Sequence, residues 1–277
     1  MRKAIALLAA LVSTTSGTTS WPSPKFPQRS ENASATRLLA TVERFGDDLL
    51  TIRRGQVPPG FLEKHANTIR TLRAQIISNE PPVWALDIED ILQPPSPPLL
   101  THLRLFNLLG ADALAQKNAA AAWADLHAIW ILSRSLWQRP ETMSMAIALR
   151  GSRTIAEVAP NIGPPMPEWW NEFASFDVRV PLLRAIEYEA FAMRLRAERY
   201  PLGEPDGSKF DDTVRGLAAP FVRPIRVAQS TIAIEKMHEI TVAEMKADAC
   251  RPFAVADMPE WSGFIRRFNE FRCSATR

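Results

Sequence analysis

The sequence has few of the residues that build β-sheets and phosphate-binding loops. It contains only 11 glycines and 2 tyrosines among 277 residues, and no Gly-rich loop of the type that cradles nucleotide phosphates. No stretch alternates β-branched and polar residues for long enough to build a sheet. No serine lies in a nucleophile-elbow sequence. These absences argue against a β-rich fold and against the nucleotide-binding and hydrolase classes that carry such motifs.

Metal-binding and nucleic-acid-binding patterns are also missing. There are only four histidines. The step from Glu235 to His238 could supply two ligands to a carboxylate-bridged metal pair, but that site needs a second such step, and none exists. The net charge is +3, and Arg2 and Lys3 account for two of these charges. Because no basic stripe remains, we predict no metal, no cofactor and no nucleic-acid partner.

The N-terminus has the layout of a secretory signal peptide. Arg2 and Lys3 precede a short apolar run, residues 4–12, and small polar residues follow it. We therefore expect residues 1–16 to be a signal peptide and residues 17–32, rich in Ser, Thr and Pro, to be a linker. Export would place the protein in the periplasm or cell envelope. In that oxidising compartment the two cysteines, Cys250 and Cys273, are predicted to form a disulfide.

Residues 33–277 are predicted to form a single all-α domain, an irregular multi-helix bundle. Ala and Leu recur throughout, whereas the 23 prolines cluster between helical patterns and mark Pro-rich crossovers. The longest crossover spans residues 81–98, where Trp84 and Leu86 are expected to pin the chain onto the core. Pro160 is predicted to end a later helix.

Helical periodicity is strongest between residues 99 and 158. It predicts helices over 99–117 and 119–139, with Asn118 as the cap of the second, and a third helix that begins after Pro140. The second helix is apolar around most of its girth and should be the central one. Its most buried residues should be Leu126, Ile129, Trp130 and Leu132. An earlier helix, opened by Pro58 and Pro59, should bury a stripe made of Leu62, Ala66, Ile69, Leu72 and Ile76.

The segment from residue 99 to residue 150 carries a resemblance. Its pattern "LL…A…AWxDLxAxxxLxRxL", after a Trp- and Pro-marked crossover, resembles a group of uncharacterised bacterial exported all-helical proteins with a tetratricopeptide-like helical hairpin. The resemblance covers residues 81–200 and involves mostly core Leu, Ala and Trp. It implies an all-α fold with a repeat-like hairpin and a cell-envelope setting, and it brings no activity and no site residues.

Two functions remain open from the sequence. The first is a non-catalytic cell-envelope protein that binds another protein or a peptide, with peripheral association to the envelope; Trp169 and Trp170 are the candidate interaction patch. The same two residues could instead form a satellite core under the Pro-rich connection. The second function is a hydrolase-like enzyme whose site involves His127, Glu187 and Glu189.

Overall fold

The structure is a computed structural model that describes residues 29–52, 56–86, 99–177 and nine residues between 180 and 195. Described residues up to Ala185 belong to one compact unit, and those from 187 onwards belong to a second unit. The helices that form the core belong to the first unit. The single domain predicted over 33–277 stays a prediction, because residues 196–277 lie outside the described residues.

The described part is built from α-helices: α1 (Ala33–Val42), α2 (Asp48–Thr51), α3 (Phe61–Ser78), α4 (Leu99–Ala115), α5 (Ala119–Trp137), α6 (Thr142–Ile162) and α7 (Trp169–Ala174), with a 3₁₀ turn at Glu43–Phe45. Further helical residues occur between 180 and 195. No strand occurs in the described ranges, where an isolated antiparallel bridge joins Arg29 to Leu86. The predicted all-α fold is confirmed.

Asparagine side chains begin two of these helices. The Asn118 carboxamide oxygen accepts a hydrogen bond from the Ala120 amide at 2.8 Å, which satisfies a donor left free at the start of α5. Asn32 does the same for the Ala35 amide at 3.0 Å, at the start of α1. The cap predicted at Asn118 is confirmed. Only three residues, 116–118, separate α4 from α5, so that the two helices form a hairpin. Whether this hairpin is repeat-like stays a prediction.

Three helices, α4, α5 and α6, pack against one another and form the core. The middle one, α5, is exposed only at Ala119, Ala120 and Arg134. The four α5 residues predicted to be most buried each expose 1% or less of their surface, and this prediction is confirmed. A helix with so little polar surface is stable only when neighbours cover it on nearly every side.

A second layer of helices lies outside this core: α3 packs against α5, and α1 packs against α3. The buried face of α3 is not quite the predicted stripe. Ile69, Leu72 and Ile76 are buried as expected, but Leu62 is half-buried and Ala66 is exposed. In their place α3 buries Phe61 and His65.

A polar partner explains why a histidine lies on the buried face of α3. The His65 Nε2 atom lies 2.8 Å from a carboxylate oxygen of Asp48 on α2. The imidazole also packs against the rings of Phe45 and Phe61, with centroids 5.3 and 4.5 Å away. Because its polar edge is satisfied and its faces are covered, His65 can replace an apolar residue in the stripe.

The Pro-rich crossover is pinned to the core as predicted. Trp84 and Leu86 are both buried. The Trp84 indole donates a hydrogen bond of 3.1 Å to the Ser135 hydroxyl on α5. Arg139, itself buried, donates to the Ala85 carbonyl and pairs with Glu141. Residues 87–98 of the crossover lie outside the described residues.

The predicted break at Pro160 is wrong. Pro160 lies inside α6, which continues to Ile162. A proline removes one backbone donor and pushes away the carbonyl four residues earlier. Here that carbonyl belongs to Ala156, and both Ala156 and Pro160 are exposed. Water can therefore satisfy the freed carbonyl, and the helix tolerates the proline in its last turns.

Gly151 allows α6 to approach α5 and α4 closely. A Cβ atom at this position would overlap the Ser133 hydroxyl of α5 and lie 3.0 Å from two ring carbons of Phe106 on α4. The Phe106 ring is fully buried and cannot move aside. The helix crossing therefore depends on the absence of a side chain at residue 151.

We predict that Gly151→Ala destabilises the protein, although alanine is the better helix former. Overpacking should outweigh the helix preference and lower the free energy of unfolding by about 1–3 kcal/mol. Adding Ser133→Ala should recover part of the loss, because it removes the nearest clashing atom. Urea unfolding of the variants measures both effects. A Gly151→Ala protein as stable as the wild type would show that the helices can separate at little cost.

Candidate functional site

A buried ion pair joins the outer layer to the core. Asp125 lies in the middle of α5 and is completely buried. One terminal nitrogen of Arg73 on α3 donates to both of its carboxylate oxygens, each at 2.9 Å. The Arg73 side chain is only 16% exposed. A contact with so little access to water requires both partners, because either side chain alone would be left buried and unpaired.

A second carboxylate stands beside this pair. Asp112 of α4 lies 3.6 Å from the same Arg73 nitrogen and accepts a hydrogen bond of 3.0 Å from the Gln116 side chain. Its side chain is 13% exposed. The cluster of Arg73, Asp112 and Asp125, here called the acidic cluster, thus places two carboxyl groups against one guanidinium. It carries a net negative charge when both carboxyls are ionised.

This surplus of negative charge affects the protonation of Asp125. Burial raises the pKa of Asp125 to about 8, and repulsion from Asp112 and a hydrogen bond with it act in the same direction. Arg73 opposes the shift but does not cancel it. At neutral pH the favoured form of Asp125 therefore carries a proton, so that the cluster is neutral.

Asp125 can hold a proton but offers no surface to a substrate. Carboxyl groups with raised pKa values serve as general acids or bases in many enzymes. A general base must, however, reach the proton that it abstracts, and Asp125 has no exposed surface. Asp125 can therefore take up a proton and contribute to the packing of α3 against α5.

Sequence reasoning missed the acidic cluster, although one signal was present. Asp125 lies between Ala122 and Ile129 on the face of α5 that was predicted to be buried. A carboxylate on such a face needs a partner in the protein. Which arginine provides the partner depends on how α3 lies across α5, and no local pattern around Arg73 indicates this.

A second candidate site is aromatic. Trp123, Trp130 and Trp137 recur every seventh residue along α5, and rings of α7 and of Phe176 just after it cover this stripe. The Trp123 ring meets Trp169 and Trp170 edge to face, at centroid distances of 6.0 and 5.6 Å. Trp169 and Trp170 are both half-buried. These contacts are those of a satellite core; the use of the exposed ring surface as an interaction patch stays a prediction.

His127 belongs to the same aromatic surface. Its imidazole stacks on the Trp169 ring, with an interplanar angle of 6° and a centroid distance of 5.2 Å. Burial lowers the pKa of His127, and the carboxylate of Glu172 only partly opposes this. At neutral pH the ring is therefore uncharged and acts as a flat, weakly polar surface. Glu172 itself pairs with Arg134 of α5.

The structure does not test the grouping of the other predicted site residues. Glu187 is half-buried and belongs to the second compact unit. Glu189, Cys250 and Cys273 lie outside the described residues. The hydrolase-like trio with His127 and the disulfide therefore both stay predictions.

The surface also carries a cleft of about 680 Å³ beside the start of α3. It is lined by Thr51, Gln56, Val57, Pro58, Pro59, Gly60, Leu62, Glu63 and Ala111. Among the described residues, none of the predicted site residues lines it, and Glu63 is the ionisable side chain that does.

Among the described residues, no three His, Cys, Asp or Glu side chains are grouped closely enough to hold a metal ion. None of the helices in these ranges has the length and apolarity needed to cross a membrane. Comparison of the chain with protein-family models, curated proteins and solved structures found no match. The resemblance to exported helical proteins therefore stays a prediction.

The ion pair generates a prediction on stability. Arg73→Met should leave the buried Asp125 carboxylate unpaired and lower the free energy of unfolding by about 3–5 kcal/mol at alkaline pH. The double variant Arg73→Met/Asp125→Leu should recover most of this loss, because both charges are gone. A double-mutant cycle by urea unfolding checks the coupling. Additive losses would mean that the two side chains do not depend on each other.

Proposed function

We propose that the protein is a non-catalytic component of the bacterial cell envelope that binds a segment of another protein. The binding surface is the aromatic patch, defined as Trp169 and Trp170 of α7 together with His127 of α5. The observation that supports it is the adjacency of two half-exposed indoles, 6.1 Å apart between ring centroids, on a helix that has no fully buried residue.

The physical chemistry of this patch suits peptide recognition. Indole rings offer large contact areas, and their two side-chain torsions cost little entropy when they are fixed. Here contacts with Trp123 already hold the rings in place, so that less freedom is lost on binding. Met166, just before α7, is 50% exposed and extends the apolar surface. A partner with an apolar segment flanked by polar residues would match it.

The hydrolase-like alternative has weaker support. It requires His127, Glu187 and Glu189 around one substrate. The stacking of His127 on Trp169 uses one face of the imidazole for packing, and no described acid other than Glu172 acts on its pKa. The alternative predicts activity against a chromogenic ester or peptide that His127→Gln abolishes.

The binding proposal can be tested by crosslinking in the native host. A photo-crosslinking phenylalanine analogue replaces Trp170, so that the position stays aromatic, and the same analogue at the exposed Arg153 of α6 serves as the control. We expect a discrete covalent adduct from position 170 alone, identified by mass spectrometry. Trp169→Ala should reduce its yield about tenfold, the loss typical of a central interface residue. Equal adducts at both positions, or none at position 170, would contradict the proposal.

The envelope location is tested separately. Residues 1–30 are fused to a reporter enzyme that is active only outside the cytoplasm. We expect activity, because the charged start and the short apolar run satisfy the export machinery. Replacing two leucines of the apolar run by aspartate is the matched control and should abolish the activity. A soluble but inactive fusion of the original segment would contradict export.

A further inference from the structure

The acidic cluster has the features of a switch as well as those of a docking contact. Its three members come from three helices: Arg73 from α3, Asp112 from α4 and Asp125 from α5. When Asp125 is protonated, one positive and one negative charge remain. When the proton leaves, a second negative charge appears at a side chain without any exposed surface. Burying an uncompensated charge is costly, so this contact differs in strength between the two states.

No other described charge is placed to compensate the second negative charge. Arg73 and Asp112 are the charged groups that act on Asp125. On α3, Glu63, Lys64 and Arg70 are exposed to water. On α4, Arg104 is half-buried and is not among the groups that act on Asp125. On α6, Arg150 and Glu157 pair with each other near the surface. The response therefore belongs to the three cluster residues.

We propose that Asp125, buried between Arg73 and Asp112, gains and loses a proton in the folded protein, and that this proton controls how firmly α3 is held against the core. In the protonated state Asp125 can donate a hydrogen bond to Asp112 while its oxygens accept from Arg73. In the deprotonated state the two carboxylates repel each other and compete for one guanidinium.

The packing of the helices determines which helix responds when Asp125 loses its proton. The core of α4, α5 and α6 is held by large apolar side chains, whereas α3 lies outside this core and packs mainly against α5. When α3 moves outward, water reaches Asp125 and stabilises its charged form. Between the ordinary pKa of an aspartate and the raised pKa of Asp125, the folded state binds more protons than the unfolded state, so that stability should fall as the pH rises and level off above the raised pKa.

The test is amide hydrogen exchange of the purified full chain between about pH 6 and about pH 9, corrected for the intrinsic pH dependence of exchange. We expect the protection of α3 amides to fall about tenfold or more over this range, since one unit of pKa corresponds to a tenfold change. The protection of α6 amides should change much less. Asp125→Asn, which is neutral at every pH, should remove the dependence in α3. Glu63→Gln, an exposed carboxyl on the same helix, should keep it.

Infrared spectroscopy supplies a readout that does not depend on the stability of the variants. The wild type near pH 6 should show the C=O stretch of a protonated carboxylic acid, and this band should vanish on alkaline titration and be absent from Asp125→Asn. A wild-type protein without such a band would overturn the proposal. The proposal is equally wrong if α3 protection is independent of pH, or if Asp125→Asn retains the wild-type dependence.

Discussion

Helix α5 is surrounded by other helices, and its buried aspartate and serine side chains have partners inside the protein. Asp125 obtains one from Arg73 of α3. Ser135 accepts from the Trp84 indole and donates to the Leu132 carbonyl at 2.7 Å. Ser133 donates to the Ile129 carbonyl at 2.8 Å, and its hydroxyl lies where Gly151 of α6 comes closest. Because α5 is buried, the residues that pair with Asp125 and Ser135 come from the segments packed against this helix.

These partners also give the contacts a fixed register. Apolar side chains tolerate a shift along a helix, because one hydrocarbon surface resembles another. A guanidinium that donates to both oxygens of a buried carboxylate tolerates far less, since a shifted Arg73 would leave Asp125 unpaired. The outer helix α3 and the crossover at Trp84 are therefore held at defined points along α5. The same requirement makes the α3 contact sensitive to the protonation of Asp125.

The aromatic patch is held by contacts between aromatic rings and not by buried polar pairs. The tryptophan stripe of α5 needs cover, and α7 provides it with side chains that are themselves half-buried. Because α7 is short and has no fully buried residue, its stability comes from ring contacts with α5. Part of the Trp169 indole and part of the Trp170 indole remain in contact with water. Exposing an apolar ring to water costs free energy, and a bound partner would remove this cost. This is the physical basis of the binding proposal.

Local patterns in the sequence were enough to predict the helical class, the cap at Asn118, the burial of Leu126, Ile129, Trp130 and Leu132, and the pinning of Trp84. Most of these depend on periodicity or on a neighbour a few residues away, but the hydrogen-bond partner of Trp84, Ser135, lies 51 residues away and was not predicted. The sequence alone did not predict that Pro160 could remain helical, because the exposure of Ala156 comes from packing. It did not show that His65 would be buried, because its partner Asp48 lies on another helix. Only the tertiary structure paired Asp125 with Arg73, 52 residues earlier. The energy of that contact depends on burial and on the position of α3 across α5, and neither is a property of local sequence.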